Sequence, residues 1–210
     1  MKSSILILVF LIVPFVLFSA SSPKDVKFSK GKIFFQNGDT VNVYIKVAKL
    51  YDLQSGIQYL DTAGNEHSLL PSKAKGFCLL YKNETLYFES RKDLKMVLFS
   101  SKKSKSSFVN KVSGGNMPLY YFVEKKLVMD GIDQVSVEFP QYMILLDQQW
   151  ISISVKYFVN DFRKLVSSLK GEYNAEQMKA LLNEIIDGKY KFEDTPVVVE
   201  KFRKIPVAEN

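Results

Sequence analysis

The stretch KIFFQNGDTVNVYIKV, residues 32–47, has the pattern of a β-hairpin. Asn37-Gly38 lies near its centre, and both residues tolerate the positive φ that a type I′ hairpin turn requires. From Thr40 to Val47 the residues alternate, so that one face of the strand is apolar and the other is mostly polar. This alternation predicts a half-buried strand in an antiparallel sheet with one wet side.

Short runs of the same kind recur along the chain and are separated by turn residues such as Gly, Asn and Pro. Closely spaced short strands of this kind are typical of antiparallel meanders. The predicted strands cover residues 56–60, 67–70, 77–81, 85–89, 96–100, 119–123, 134–139 and 143–146. We expect them to form a curved antiparallel sheet or a small open barrel over residues 31–152.

The hydrophobic period becomes helical from about residue 153. A first helix is predicted from there to Leu169, before Gly171, and a second is capped by Asn174 with Gln177 three residues later. The second helix carries an apolar stripe of Met178, Leu181, Leu182, Ile185 and Ile186. We therefore predict an α+β fold, with a single domain over residues 31–187 and two C-terminal helices packed on the sheet. Residues 188–210 are expected to be a tail on the surface.

The N-terminus has the features of a secretory signal peptide. Lys2 precedes an apolar run at residues 5–18, which is shorter than the about 20 residues that a membrane span needs, and small residues follow it. We expect cleavage after Ala20 or Ser21, so that residues 1–21 are the signal peptide and residues 22–30 an exposed lead-in. The alternative is an uncleaved anchor helix.

The net charge alone suggests a nucleic-acid binder, but the residue types do not. The chain has 29 Lys plus Arg against 22 Asp plus Glu, and removal of Lys2 with the signal peptide leaves 28 against 22, or +6. Only Arg91, Arg163 and Arg203 carry the planar guanidinium group that suits bidentate phosphate contacts. The lysines at 102, 103 and 105 are interpreted as a solvated loop. No nucleic-acid partner is expected.

Catalytic and metal-binding patterns are weak. His67 is the only histidine, and a Gly-x-Ser-x-Gly nucleophile motif is missing, so His67 is interpreted as a surface residue. Carboxylates are more numerous, and two sets are considered. Asp130, Asp133 and Asp147 are candidate ligands of a hard cation, and Glu89, Glu138 and Asp147 are candidates from which a glycosidase pair could form. We interpret these as solvated turn and strand residues, and predict no catalytic, cofactor or metal site.

The single cysteine and the aromatic residues are assigned to the core. Cys78 lies in an apolar run, so we expect it to be buried and slow to react, and a chain with one cysteine has no internal disulfide. Asn83-Glu84-Thr85 has the form of a glycosylation acceptor, which we interpret as coincidence. The aromatic residues considered as a binding surface, but assigned to the core, are Tyr120, Tyr121, Phe122 and Trp150.

The order of the motifs resembles an uncharacterised family of exported bacterial proteins. The matching residues are 31–35 (GKIFF), 38–41 (GDTV), Leu70-Pro71 followed by Gly76-Phe77, and Leu119-Tyr120-Tyr121 after Gly114-Gly115, followed by two helices. The resemblance covers about residues 31 to 187 and departs from the family at residues 72–75, SKAK, where an acidic residue often stands. It implies export and an α+β fold, but no known activity.

The expected function is therefore that of an exported, non-enzymatic envelope protein, periplasmic or extracellular, which binds an unknown envelope partner or ligand. The mature chain is expected to have no membrane span. The alternative is a hydrolase that acts on envelope polymers through paired carboxylates.

Overall fold

The structure is a computed structural model that describes residues 27–49, 51–92, 94, 106–169, 171 and 173–207. Its strands are β1 (Phe28–Phe35), β2 (Thr40–Lys46), β3 (Ile57–Leu60), β4 (Glu66–Leu69), β5 (Ala74–Tyr81), β6 (Glu84–Arg91), β7 (Ser107–Ser113), β8 (Leu119–Asp130), β9 (Asp133–Leu146) and β10 (Gln149–Ser154). Its helices are α1 (Phe158–Ser168), α2 (Ala175–Ile186) and α3 (Thr195–Arg203). The predicted signal peptide, the predicted strand at 96–100 and the basic loop at 102–105 lie outside the described residues.

The ten strands form one open antiparallel sheet in the order β10-β9-β8-β7-β6-β5-β1-β2-β3-β4. Neighbouring strands in the sheet are also neighbours in sequence, except that β1 lies between β2 and β5. This confirms a β-rich antiparallel sheet with helices near the C-terminus, although the sheet dominates the α+β fold more than we expected.

Several predicted boundaries are corrected by the strand pairing. β1 begins at Phe28, inside the predicted lead-in, and the predicted strands 134–139 and 143–146 are one continuous strand, β9. Neither β7 nor β10 was predicted, and β10 extends over Ile153 and Ser154, where the first helix was expected to begin. In each case the residues complete hydrogen-bonded ladders with a neighbouring strand, a contact that local sequence does not reveal.

The first hairpin turn also differs from the prediction. Gly38 has a φ of 98°, but Asn37 does not have a positive φ, so the turn between β1 and β2 is not type I′. Two other turns have the two consecutive positive φ values of type I′. These are Lys82-Asn83 between β5 and β6, with φ of 48° and 68°, and Asp147-Gln148 between β9 and β10, with φ of 45° and 63°.

One face of the sheet, here called the inner face, carries two hydrophobic cores. The first is the strand core, which lies on β1, β2 and β5–β7 and includes side chains from the β2–β3 connection and the short strands β3 and β4. Its members are Ile33, Val43, Ile45, Leu53, Ile57, Leu69, Ala74, Phe77, Leu79, Phe88 and Phe108. The alternation first noted at residues 40–47 therefore places Val43 and Ile45 in a buried layer.

The second core, the helical core, lies where the three helices cover strands β8–β10. Asn174 caps α2 as predicted, because its side chain accepts a hydrogen bond of 3.1 Å from the Gln177 backbone N–H. Met178, Leu181 and Ile185 of the predicted stripe are buried, whereas Leu182 is half-buried and Ile186 is 42% exposed. The stripe therefore faces the helical core, but it is narrower than predicted.

The C-terminal segment is not the surface tail that we expected. It contains α3, in which Val198, Val199 and Phe202 are each at most 1% exposed and belong to the helical core. Arg203 fixes the end of α3 by donating hydrogen bonds to the Ser113 hydroxyl, at 2.7 Å, and to the Met117 carbonyl. Within the described residues, none of the helices combines the length and hydrophobicity that a bilayer crossing requires.

The hairpin of β8 and β9 projects from the sheet. Pairing of β8 with β7 ends at Tyr121, while pairing of β8 with β9 continues to Asp130 and Asp133. Where β7 and β8 separate, the Gln54 side chain hydrogen-bonds both the N–H and the carbonyl of Val123, at 2.8 and 2.9 Å. Residues 124–139, here called the β-arm, extend beyond this point as a two-stranded ribbon.

Candidate functional site

The outer face of the sheet, opposite the two cores, has a groove across β2, β1, β5 and β6 with a volume of about 570 Å³. Its place is fixed by the register, in which Lys32 pairs with Asn42 on one side and Cys78 on the other, and Cys78 pairs with Tyr87. We call it the outer groove. The lining residues that carry the argument are Lys30, Lys32, Tyr44, Cys78, Leu80 and Tyr87.

The groove exists because β5 presents small side chains to the outer face. Cys78 lies between Lys32 on β1 and Tyr87 on β6, and Gly76 lies between Phe34 and Glu89. A Cβ atom added at Gly76 would lie 2.1 Å from the Phe88 carbonyl oxygen, so the backbones are too close for any side chain there. Gly76 stands next to the lining residue Phe34, so strand packing leaves this edge of the groove without a side chain.

The groove combines positive charge with exposed apolar surface. Lys30 and Lys32 both point to the outer face of β1, and the lining contains no Asp or Glu side chain. Within the part of the chain that the structure describes, neither lysine forms an ion pair. Tyr44, Leu80 and Tyr87 are 43%, 45% and 51% exposed, so an incoming group with apolar surface has large side chains to contact.

Beside the groove, Glu89 is held by a hydrogen-bonded network. The Lys111 ammonium donates to Glu89 Oε1 at 2.5 Å, and the Tyr120 hydroxyl donates to Oε2 at 2.8 Å. The Arg91 guanidinium donates to the Tyr120 hydroxyl at 2.5 Å and lies 3.1 Å from Glu89 Oε2. Arg91 also packs over the rings of Tyr120 and Trp150, at 5.2 and 5.7 Å from their centroids.

These contacts keep Glu89 ionised. Burial would raise the pKa of the Glu89 carboxyl, but the hydrogen bonds from Lys111 and Tyr120 and the charges of Lys111 and Arg91 lower it below its ordinary value. Burial raises the pKa of the Tyr120 hydroxyl, and although Arg91 opposes this, the hydrogen bond to Glu89 raises it further. Glu89 is thus a stable counter-ion, which is the opposite of what a general acid at neutral pH needs.

Substitution of Glu89 by glutamine should make the stability of the protein less dependent on pH. Because the folded-state pKa is lowered, the contribution of Glu89 is present above the unfolded-state pKa of about 4.3 and is lost as the pH falls through the folded-state value. Urea unfolding should therefore show Glu89→Gln to be less stable than wild type by about 1 kcal/mol at pH 7. The difference should shrink below pH 4; a constant difference at every pH would contradict this assignment.

His67 is part of a surface turn. It lies on β4 and its Nε2 atom is 2.9 Å from Asp61 Oδ2, while its ring stacks on Tyr59 with centroids 5.2 Å apart. The hydrogen bond from His67, and then those from Asn65, lower the pKa of the Asp61 carboxyl. Among the described residues, no hydroxyl or thiol nucleophile is hydrogen-bonded to His67. The contact between His67 and Asp61 is therefore structural, and it fixes the β3–β4 turn.

The acidic residues considered for metal binding do not converge. Asp133 begins β9 and pairs with Asp130 at the end of β8, whereas Asp147 lies just beyond the other end of the 14-residue strand β9. At about 3.3 Å per residue, the two ends are about 46 Å apart. Within the described residues, no group of three or more His, Cys, Asp or Glu side chains is placed to hold a metal ion.

The carboxylates considered for glycoside hydrolysis are also separated. Glu89 lies on the outer face with Tyr120, whereas Glu138 lies on the Tyr121 side of the sheet, where its charge, after burial, raises the pKa of the Tyr121 hydroxyl. A hydrolytic pair must have both carboxyl groups beside one bond of the substrate. Glu89 and Glu138 face opposite sides of the sheet and do not meet this requirement.

The aromatic residues considered for binding are largely buried. Tyr120 and Phe122 are 1% and 3% exposed, and they pack with Val109 and Met143 in a small core on the outer face. Tyr121 is half-buried on the opposite side, and Trp150 packs partly against the small core. The exposed aromatic residues of the outer groove, Tyr44 and Tyr87, were not singled out from the sequence. The one sequence feature that could have indicated their exposure is that they alternate with buried neighbours along their strands.

Cys78 is buried, as predicted, with an exposed fraction of 8%, although it lines the groove floor. Asn83-Glu84-Thr85 is exposed at the β5–β6 turn. Because thiol reagents need access to the sulfur atom, Cys78 should react much more slowly in the native protein than in the urea-unfolded chain. A chromogenic disulfide reagent measures both rates, and equal rates would show that the thiol is open to solvent.

Comparisons of this chain with protein-family models, with curated proteins and with solved structures find no match. The resemblance to exported bacterial proteins therefore rests on the order of its short motifs alone. The outer groove and its chemistry are the basis for a functional proposal.

Proposed function

We propose that this chain is an exported, non-enzymatic protein of the cell envelope that binds an anionic, partly apolar ligand or partner in the outer groove. The observation that supports this most is the pairing of Lys30 and Lys32 with exposed Tyr44, Leu80 and Tyr87 in a groove lined by no carboxylate. A ligand with one negative charge and one apolar group meets both features at once.

Export is proposed from the N-terminal sequence, where the apolar run at residues 5–18 is followed by Ser19 and Ala20. The product recovered from the envelope or the medium should therefore have the mass of a chain that starts at Ser21 or Ser22. An intact chain in the membrane fraction would contradict cleavage without affecting the groove.

Binding is favoured over hydrolysis by the state of the nearby acids. Glu89 is surrounded by Lys111, Tyr120 and Arg91, which stabilise the carboxylate and leave it poorly suited to donate a proton. Glu138 faces the other side of the sheet. The groove therefore offers cations and apolar contacts, which hold a ligand, beside an acid that is already paired.

The proposal is tested with anilinonaphthalene sulfonate, a fluorescent probe with one sulfonate and an apolar ring system. The double substitution Lys30→Glu and Lys32→Glu should weaken its binding by about tenfold, the change that about 1.4 kcal/mol produces, because two exposed charge contacts are lost. Fluorescence titration of the folded protein gives the dissociation constant. N-phenylnaphthylamine, which lacks the sulfonate, should be much less affected by the same substitutions.

The matched control reverses the charge of two exposed lysines outside the groove, by the substitutions Lys156→Glu and Lys179→Glu. Its net charge changes by the same amount as that of the groove variant. This control should bind the probe as wild type does. Equal weakening in both double variants would indicate a nonspecific charge effect, and unchanged binding in the groove variant would remove the basis for the proposed function.

A further inference from the structure

The β-arm is a second exposed feature, and its outer part, residues 127–136, belongs to none of the hydrophobic cores of the described chain. Leu127, Met129 and Ile132 are 69%, 64% and 94% exposed, and Val135 and Phe139 add apolar surface on the other side of the ribbon. A two-stranded ribbon with no layer packed on it is marginally stable in water. Apolar side chains on both faces of such a ribbon indicate that it is covered when the protein functions.

The charge of the β-arm is opposite to that of the rest of the chain. Its acidic residues are Glu124, Asp130, Asp133 and Glu138, and its basic residues are Lys125 and Lys126, which gives a net charge of −2 in a chain whose total is +7. Both lysines are engaged near the base, where Lys126 Nζ lies 3.1 Å from Glu124 Oε2 and Lys125 Nζ lies 3.6 Å from the Tyr51 ring centroid.

At the tip, the two aspartates flank the most exposed apolar residue. The sequence Asp130-Gly131-Ile132-Asp133 forms a two-residue turn with Gly131 at a φ of 65°, and Asp130 pairs directly with Asp133. Neither aspartate has an ion-pair partner within the described residues. The tip thus carries an exposed carboxylate pair around an exposed isoleucine, the same combination of negative charge and apolar surface that the outer groove is suited to bind.

We propose that the β-arm tip of one copy of this chain docks in the outer groove of a second copy. Lys30 and Lys32 are two residues apart on one face of β1, about 6.6 Å along the strand, and the Cα atoms of Asp130 and Asp133 are about 5 Å apart as a cross-strand pair. The backbone positions of the two lysines and of the two aspartates therefore have similar spacing, and Ile132, which lies between the two aspartates, is placed to contact Tyr44, Leu80 or Tyr87. This inference rests on the proposed function of the groove.

The arm reaches a neighbouring molecule rather than its own groove. It continues the direction of β8 and carries the tip about 23 Å beyond Val123 along the strand axis, whereas the groove lies across the sheet on β1 and β5. Docking of arm into groove is a contact between different surfaces, so reciprocal exchange gives a closed dimer and one-way docking gives a chain of copies. A lipid surface is a poorer occupant, because the two aspartates would enter it with Ile132.

The test is a complementary charge exchange, measured by sedimentation velocity on the full exported chain. Variant A carries Asp130→Lys and Asp133→Lys, and variant B carries Lys30→Asp and Lys32→Asp. The wild type should self-associate, and each variant alone should associate at least about tenfold more weakly because like charges face each other. An equal mixture of A and B should recover association, since both of its arm-to-groove contacts then join opposite charges.

Controls separate this inference from the proposed function of the groove. Glu176→Lys with Asp187→Lys makes the same charge change as A at exposed positions of the α2 region, and should associate as wild type does. Variant A keeps the groove and should still bind anilinonaphthalene sulfonate. Three results would each overturn arm docking: a wild type that is monomeric at all concentrations, variants A and B that associate as wild type does, or a mixture that does not recover association. A monomer that binds phosphatidylcholine vesicles through Ile132 would also overturn it.

Discussion

Replacement of Ile185 by aspartate should lower the free energy of unfolding by more than about 4 kcal/mol. Ile185 is 1% exposed on α2 and packs in the helical core, so the substitution removes buried apolar surface and places a carboxylate among apolar side chains. Small domains are stable by only about 5–15 kcal/mol, so the variant should lose a large fraction of its stability and melt at a much lower temperature than wild type. Urea titration followed by circular dichroism measures the loss.

The adjacent residue provides the control. Ile186 is 42% exposed, and Ile186→Asp places the same charge one position further along the same helix. It should change stability by less than about 1 kcal/mol, because an exposed carboxylate remains hydrated. Similar losses in both variants would mean that helix propensity, rather than packing against the sheet, accounts for the effect, and two stable variants would mean that α2 does not cover the core.

Replacement of Phe202 by alanine should cost about 3–5 kcal/mol, although it lies near the end of the chain. Phe202 is 1% exposed, and its ring lies nearly parallel to that of Phe162, with centroids 5.9 Å apart and an interplanar angle of 15°. Its removal leaves a cavity between α1 and α3 that the remaining side chains only partly fill.

Val197→Ala on the same helix is the control, because Val197 is 54% exposed and alanine is a better helix former than valine. Its melting temperature should be close to that of wild type. If Phe202→Ala also melts like wild type, residues 195–203 do not contribute to the core and the original expectation of a surface tail would be restored.

α2 and α3 show which features of the sequence were sufficient to predict a helix. The second helix was predicted because Asn174, Gln177 and an apolar stripe at helical spacing all indicate the same structure. α3 was missed because Pro196 and three consecutive valines at 197–199 are more typical of a strand or a loop than of a helix. Burial of Val198, Val199 and Phe202 outweighs that local preference.

The outer groove was less predictable than the sheet that carries it. Alternation at residues 40–47 placed Tyr44 on the wet side of its strand, but the groove depends on β1 lying between β2 and β5. That insertion brings Lys32 beside Cys78, although the two residues are far apart in sequence, while Tyr87 joins them through the local β5–β6 hairpin. The network of Glu89 depends on a different set of strand contacts, since Tyr120 reaches Glu89 through the pairing of β6, β7 and β8.

The two inner-face cores divide the chain by position, which matters because a polypeptide is synthesised with its N-terminal end first. Every buried member of the strand core lies between Ile33 and Phe108, whereas the helical core draws on residues from Met117 to Ile205. All the side chains of the strand core are thus present before the residues of the helical core have been synthesised. The helical core is incomplete until Phe202 is present. A chain that ended before Phe202 would therefore have a complete strand core and an incomplete helical core with exposed apolar side chains. Quality-control proteases remove such partly folded molecules.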